Sequence, residues 1–108
     1  MMDLLSIDVV RSNAATTVVL AGEIDFASES SLTDALVDAV ESSREVFVDL
    51  GLVTYLDSTG IRALVVAYEE AGARDGAVTI RRASAQVRRV LDASGVLALL
   101  TGAREAHG

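Results

Sequence analysis

The stretch Val46-Phe47-Val48-Asp49-Leu50-Gly51-Leu52-Val53-Thr54-Tyr55-Leu56-Asp57-Ser58-Thr59-Gly60-Ile61 decides the fold. Val46, Phe47 and Val48 form an apolar run of strand formers, as expected of a strand covered on both faces. A short loop follows, then Asp57-Ser58-Thr59-Gly60, and then a helix. Ile61, Leu64, Val65, Tyr68, Ala71 and Gly72 recur at steps of three and four, which puts them on one helical face. Asp57 or Ser58 can cap this helix, because either side chain can accept a hydrogen bond from an unpaired first-turn amide. A serine hydroxyl therefore stands beside a carboxylate where a strand hands over to a helix. The opposite face carries Thr59, Arg62, Ala63, Val66 and Glu70. Val66 is expected to point outward two turns from Ser58, with Ala63 between them, which makes this face a candidate docking surface.

The upstream chain reads as two strands and a helix. Leu4 to Val10 and Thr16 to Ala21 are apolar and β-branched, and Ser12-Asn13-Ala14-Ala15 is a turn, so the two pair as an antiparallel hairpin. Gly22-Glu23-Ile24-Asp25 follows as a polar loop with Ile24 inward. Gly22, Glu23 and Asp25 are a candidate accessory loop; a metal or acid–base role for the carboxylates lacks a partner ligand at suitable spacing. Ser28 to Ser42 is a helix with Leu32, Ala35, Leu36, Ala39 and Val40 as its stripe, and Ser28 or Ser31 as its cap.

Downstream, the central helix stops near Gly72 and Arg74-Asp75-Gly76 turns the chain. Ala77 to Arg81 is a strand. Ser84 caps a third helix carrying Val87, Val90 and Leu91, which Gly95 ends. Arg81, Arg82, Arg88 and Arg89 read as solvated ends balancing an acidic surface. Val96 to Leu100 is expected to be a short last strand. Ala103 to Ala106 reads as one helical turn in a mobile stub of residues 103–108. The order is β-β-α-β-α-β-α-β. This is an α/β domain over residues 1–108, with a mixed, mostly parallel sheet of four to five strands and three to four helices.

Composition narrows the chemistry. The 108 residues suffice to bury a core without a metal or disulfide. The absence of Cys excludes thiol catalysis and cysteine metal sites and fits a reducing, cytoplasmic setting. Nine basic against sixteen acidic residues leave a formal charge of −7, the wrong sign for a nucleic-acid binder. The amino-terminal residues show no signal-peptide pattern, and no stretch of about twenty apolar residues inserts into a membrane. A nucleophilic Ser58 lacks a base, since His107 is the single histidine and lies in the tail. The Gly-x-Ser-x-Gly elbow and the glycine-rich phosphate loop are absent. No enzyme, cofactor or metal site is expected. A phosphoacceptor serine needs only exposure, because a kinase brings the base and the nucleotide.

Val48-Asp49-Leu50, Leu56-Asp57-Ser58-Thr59-Gly60-Ile61, Leu20-Ala21-Gly22-Glu23-Ile24-Asp25 and Val90-Leu91-Asp92-Ala93-Ser94-Gly95-Val96 together resemble a STAS domain of the anti-sigma-factor antagonist family. The Asp-Ser-Thr-Gly tetrad is weak alone and strong in this setting. The resemblance implies that Ser58 is phosphorylated by an anti-sigma factor that is itself a serine kinase. It implies that the unphosphorylated form binds this factor and frees the sigma factor, and that a serine phosphatase resets the switch. Asp57, Thr59, Gly60, Arg62, Ala63 and Val66 would form the switch loop and docking surface, with Thr59 as a neighbour some relatives also use. The last helix is shorter than the family's. Other readings are an accessory subunit of a membrane transporter and a scaffold subunit of a stress-signalling assembly, whose members carry an extra domain that 108 residues do not accommodate. A small nucleotide enzyme ranks last.

Overall fold

The computed structural model describes residues 4–13 and 15–100. Four strands, β1 (Leu5–Ser12), β2 (Ala15–Ile24), β3 (Glu45–Leu56) and β4 (Ala77–Arg81), lie side by side in chain order. β1 pairs antiparallel with β2, while β2–β3 and β3–β4 are parallel. A 3-10 turn (Phe26–Ser28) and helix α1 (Glu29–Ser42) connect β2 to β3, and α2 (Ser58–Ala73) connects β3 to β4. α3 (Ala85–Ala93) and α4 (Val96–Leu100) follow.

The expected order holds through α3, and the last element differs. Val96–Leu100 is a helix, with Val96 and Leu100 buried in the core and Leu97 and Leu99 packed against it. An apolar run of five residues has no period that separates a strand from a buried helical turn. Here the run packs Val96 and Leu100 into the core as a helical turn and does not pair with β4. The stub at 103–108 and His107 lie outside the described residues.

Two strands run longer than their apolar runs suggest. β2 continues through Gly22-Glu23-Ile24, so the expected loop is strand, with Ile24 buried. β3 continues through the expected loop to Leu56. The register between β2 and β3 shifts between Val19 and Ala21 and again between Gly22 and Glu23. Such irregularities break the alternation that marks a strand in sequence. The Gly51 amide donates to Asp49 Oδ1 at 2.9 Å at the first of them.

The core lies on one face of the sheet. Val18, Leu20, Val46, Val48, Leu50, Val78 and Ile80 join Leu32, Leu36, Leu64, Ala67, Val87, Leu91 and Leu100 from the four helices in one cluster. Each fully buried leucine here contributes roughly 1.5–3 kcal/mol relative to an exposed one. The alternate strand residues Thr17, Val19, Phe47 and Thr79 face the other way and are only half-buried. The Arg81 guanidinium stacks over the Phe47 ring, 3.6 Å from its centroid. Asp49, on this same face, is 6 % exposed. Arg82 holds its carboxylate, through Nε at 3.0 Å and through Nη2. Arg82 itself sits at φ 60 just past β4, a left-handed conformation. Of the four arginines read as solvated ends, two are thus engaged with the sheet.

Candidate functional site

Ser58 opens α2 at the carboxyl end of β3, and its residue is exposed. The cap is Asp57, whose Oδ1 accepts from the Thr59 amide at 2.9 Å and from Thr59 Oγ1 at 2.5 Å. The Asp57 carbonyl accepts from the amides of Gly60 (3.1 Å) and Ile61 (3.2 Å). The amides of Thr59, Gly60 and Ile61 at this helix start are therefore already engaged. Among the described residues the Ser58 hydroxyl has no hydrogen-bond partner. Of the three polar side chains in the tetrad, two hold each other and the serine is left free.

The site is a junction of two loops. The Asp57 amide donates to the Ile24 carbonyl at 3.2 Å, tying the end of β3 to the end of β2. Next to it, Asp25 Oδ1 accepts from the Ala27 amide at 3.0 Å, and buried Ser28 Oγ accepts from the Asp25 amide at 3.1 Å. This reciprocal cap belongs to the 3-10 turn, so Ser28 is committed there and Ser31 does not cap α1. The candidate accessory carboxylates thus differ: Asp25 builds the turn, and Glu23 lies half-buried in β2 opposite Tyr55.

Gly60 is buried where α2 crosses the strand ends. A Cβ there would lie 2.3 Å from Leu56 Cδ1 and 2.5 Å from Ile24 Cγ2. α2 approaches this closely because glycine stands at that point. The helix is also turned from its expected setting. Ala63 is 2 % exposed and belongs to the core with Gly60, Leu64, Ala67 and Ala71. The sequence pattern placed Ala63 outward because larger residues flank it, yet close packing against α1 and the sheet selects the small ones. Gly60 and Ala63 therefore offer no side chain to a partner. Gly72, expected inward, is exposed. Ile61, Val65 and Tyr68 pack at the core's margin, and Val66 is half-buried. Arg62 is open to solvent, one turn after Ser58, and lies 3.9 Å from Glu29 of α1. The Arg62–Glu29 pair was not legible in the sequence, since no spacing relates α1 to α2.

Among the described residues no group of three or more His, Asp or Glu could hold a metal ion, and no helix is long and apolar enough to cross a membrane. The arrangement offers one chemical event: modification of an exposed hydroxyl on a rigid corner. Known proteins resemble this chain in sequence and in fold. The anti-sigma-B factor antagonist of Bacillus subtilis is 26% identical over 104 residues, 96% of this chain and 95% of that protein. The crystal structure of an anti-sigma factor antagonist from Mycobacterium paratuberculosis superposes with a TM-score of 0.73 at 28% identity, over 85% of this chain and 79% of that one. The anti-sigma factor antagonist SpoIIAA in its unphosphorylated form gives a TM-score of 0.78 over 87% of this chain and 84% of its own, a likeness of fold at 18% identity. A family model described as "Mlab, STAS domain" matches residues 7–104, and the chain belongs to the STAS domain family.

Proposed function

We propose that this protein is a cytoplasmic anti-sigma factor antagonist with a phosphorylation switch at Ser58. In the unphosphorylated form it binds an anti-sigma factor serine kinase and releases the sigma factor. Phosphorylation of Ser58 ends that binding, and a serine phosphatase restores it. Ser58 is a substrate of the kinase, not a nucleophile of its own.

The observation that carries this reading is the free, exposed Ser58 hydroxyl on a helix start whose other polar groups are tied together. Asp57, Thr59 and Gly60 present it, and Arg62 and Val66 line the approach along α2. A phosphate there would carry about −1.5 to −2 charges. The Thr59, Gly60 and Ile61 amides are engaged, so the added charge faces outward, where it meets whatever docks. Arg62 is its nearest cation along the helix, at the i,i+4 spacing that lets side chains meet. The fold stays as it is while the recognition surface changes sign locally. The relatedness to anti-sigma factor antagonists supports the same partner class.

The test is a pull-down with ATP or ADP, with bound proteins and phosphosites identified by mass spectrometry. The expected result is an anti-sigma factor kinase that leaves phosphate on Ser58 of the wild type and none on Ser58→Ala. Phosphate confined to another residue would remove the switch. A second reading, a regulatory subunit of a membrane transporter, follows from the breadth of the same family. It predicts co-purification with a membrane ATPase and no phosphate on Ser58.

A further inference from the structure

Six large apolar residues among those described stand exposed: Leu4, Val9, Val10, Phe26, Leu52 and Tyr55. Four of them gather at one end of the sheet, the end that carries Ser58. The ladder places them. The Leu4 carbonyl accepts from the Glu23 amide at 3.2 Å, and Glu23 is the β2 partner of Tyr55 on β3. Ser6 faces Ala21, and Ala21 faces Leu52. Leu4–Glu23–Tyr55 and Ser6–Ala21–Leu52 flank the Leu5–Gly22–Val53 row, whose Leu5 and Val53 are buried, so both flanking rows lie on the sheet face away from the helical core. The rows end where the Asp57 amide meets the Ile24 carbonyl, one residue before Ser58. Phe26 follows two residues after Ile24.

Exposure of single apolar residues is ordinary, whereas a contiguous group marks a contact surface. The aromatic residues sharpen the point. The chain has two Phe and two Tyr. Phe47 is covered by Arg81 and Tyr68 packs on the core. Phe26 and Tyr55 are left 77 % and 47 % exposed, on the two segments that the Asp57–Ile24 bond ties together. Leu52 and Leu4 are 63 % and 59 % exposed. These residues are also held in place. The Asp25–Ser28 cap fixes the turn that displays Phe26. Leu4 is strapped against Gly22, at φ 107, where a Cβ would lie 2.1 Å from the Leu4 carbonyl oxygen. Rigid aromatic anchors contribute strongly to binding because little conformational freedom is lost when they are covered.

Charge selects the occupant. Glu23 lies within the rows, and Asp8, Asp25 and Asp57 lie around them, while on the same face Arg82 is paired with Asp49 and Arg81 covers Phe47, on a chain of net charge −7. A second copy would set carboxylates against carboxylates, and an anionic lipid surface would repel them likewise. A face that is apolar at its centre and basic at its rim fits. We propose that Leu4, Phe26, Leu52 and Tyr55 are the apolar half of the docking surface whose polar half is Ser58 and Arg62. Its occupant is the Ser58 kinase, through a face of that character. This rests on the function proposed above. It adds that the kinase grips the open sheet face beside Ser58 as well as α2.

The test uses the full chain and the kinase identified by Ser58 phosphorylation. Affinity is measured by calorimetry with ADP for Phe26→Ser, Leu52→Ser, Tyr55→Ser and Val10→Ser, after circular dichroism shows each folded. Phe26 stands on the surface of a turn fixed by other residues, so Phe26→Ser provides a folded variant in any case. Phe26→Ser and Tyr55→Ser should each raise Kd about tenfold or more. Val10→Ser, at the far end of β1, should change it less than about twofold. kcat for Ser58 phosphorylation at saturating kinase should not move in Val10→Ser, which lies outside the patch. Wild-type affinity in all the variants, with Ser58 still phosphorylated, overturns the patch and leaves the switch intact. Concentration-dependent dimerisation of the wild type that Leu52→Ser abolishes also overturns it, in favour of a second copy. Absence of both binding and Ser58 phosphorylation in the wild type overturns the switch and the patch together.

Discussion

Asp57 Oδ1 accepts two hydrogen bonds from Thr59, one from its amide at 2.9 Å and one from its hydroxyl at 2.5 Å. One oxygen thus caps the helix and immobilises the second hydroxyl of the tetrad. The neighbouring serine becomes the group an incoming enzyme can reach. Asp57→Ala removes both bonds and should cost about 1 kcal/mol, the usual worth of a helix cap. Thr59→Val keeps the amide bond and should cost less. Urea unfolding of the two variants checks the ranking, and a larger loss for Thr59→Val would contradict it.

The exposed Ser58 side chain makes no hydrogen bond in the fold, so Ser58→Ala should change stability by no more than about 0.5 kcal/mol. In the presence of ATP this variant should stay bound to the kinase while the wild type is released. Ser58→Asp should bind more weakly than the wild type in ADP. Equal affinities of wild type and Ser58→Asp would count against a charge-driven switch. In Thr59→Val the phosphate should still appear on Ser58 by mass spectrometry.

Gly60 fills a space that admits no methyl group without movement of Leu56 and Ile24, both in the core. Gly60→Ala should destabilise the protein by about 1–3 kcal/mol, the range for overpacking. It should also slow Ser58 phosphorylation, since the start of α2 must shift outward. Thermal unfolding and a kinase assay read the two effects. An unchanged melting temperature would mean that α2 does not sit as closely on the strand ends as described.

The Arg82 guanidinium holds the Asp49 carboxyl below its ordinary range, against the opposing effect of burial and with help from the Gly51 amide. A carboxyl with a lowered folded-state pKa stabilises the fold above its unfolded value, about 3.9. That contribution is lost as pH falls from there toward the folded value. Acid titration of the wild type should therefore show stability falling below about pH 4. Arg82→Gln removes the largest cause of the shift, so this variant should be less stable than the wild type at neutral pH and lose less on acidification. Asp49→Asn should flatten this part of the curve. Unfolding midpoints measured between neutral and acid pH decide it, and coincident curves for all three proteins would dismiss the ion pair.

The sequence by itself determined much. The hydrophobic periods of α1, α2 and α3, the strand formers of β2 and β4, and the Ser84 cap with Gly95 as stop are local properties, and the local chain displays them. The position of Ser58 at a strand-to-helix junction was legible for the same reason. Register, burial and partnership were decided by the tertiary structure. Ala63 turns inward because the helix must approach the sheet closely, a demand no spacing records. Leu52 and Tyr55 face solvent because bulges reset the alternation of β3. Val96–Leu100 coils as a turn that buries Val96 and Leu100 in the core. Asp49 meets Arg82, and Leu4 reaches the level of Ser58, through pairings between residues far apart in the chain. Their energies depend on which surfaces meet, so they exist only once the chain has folded.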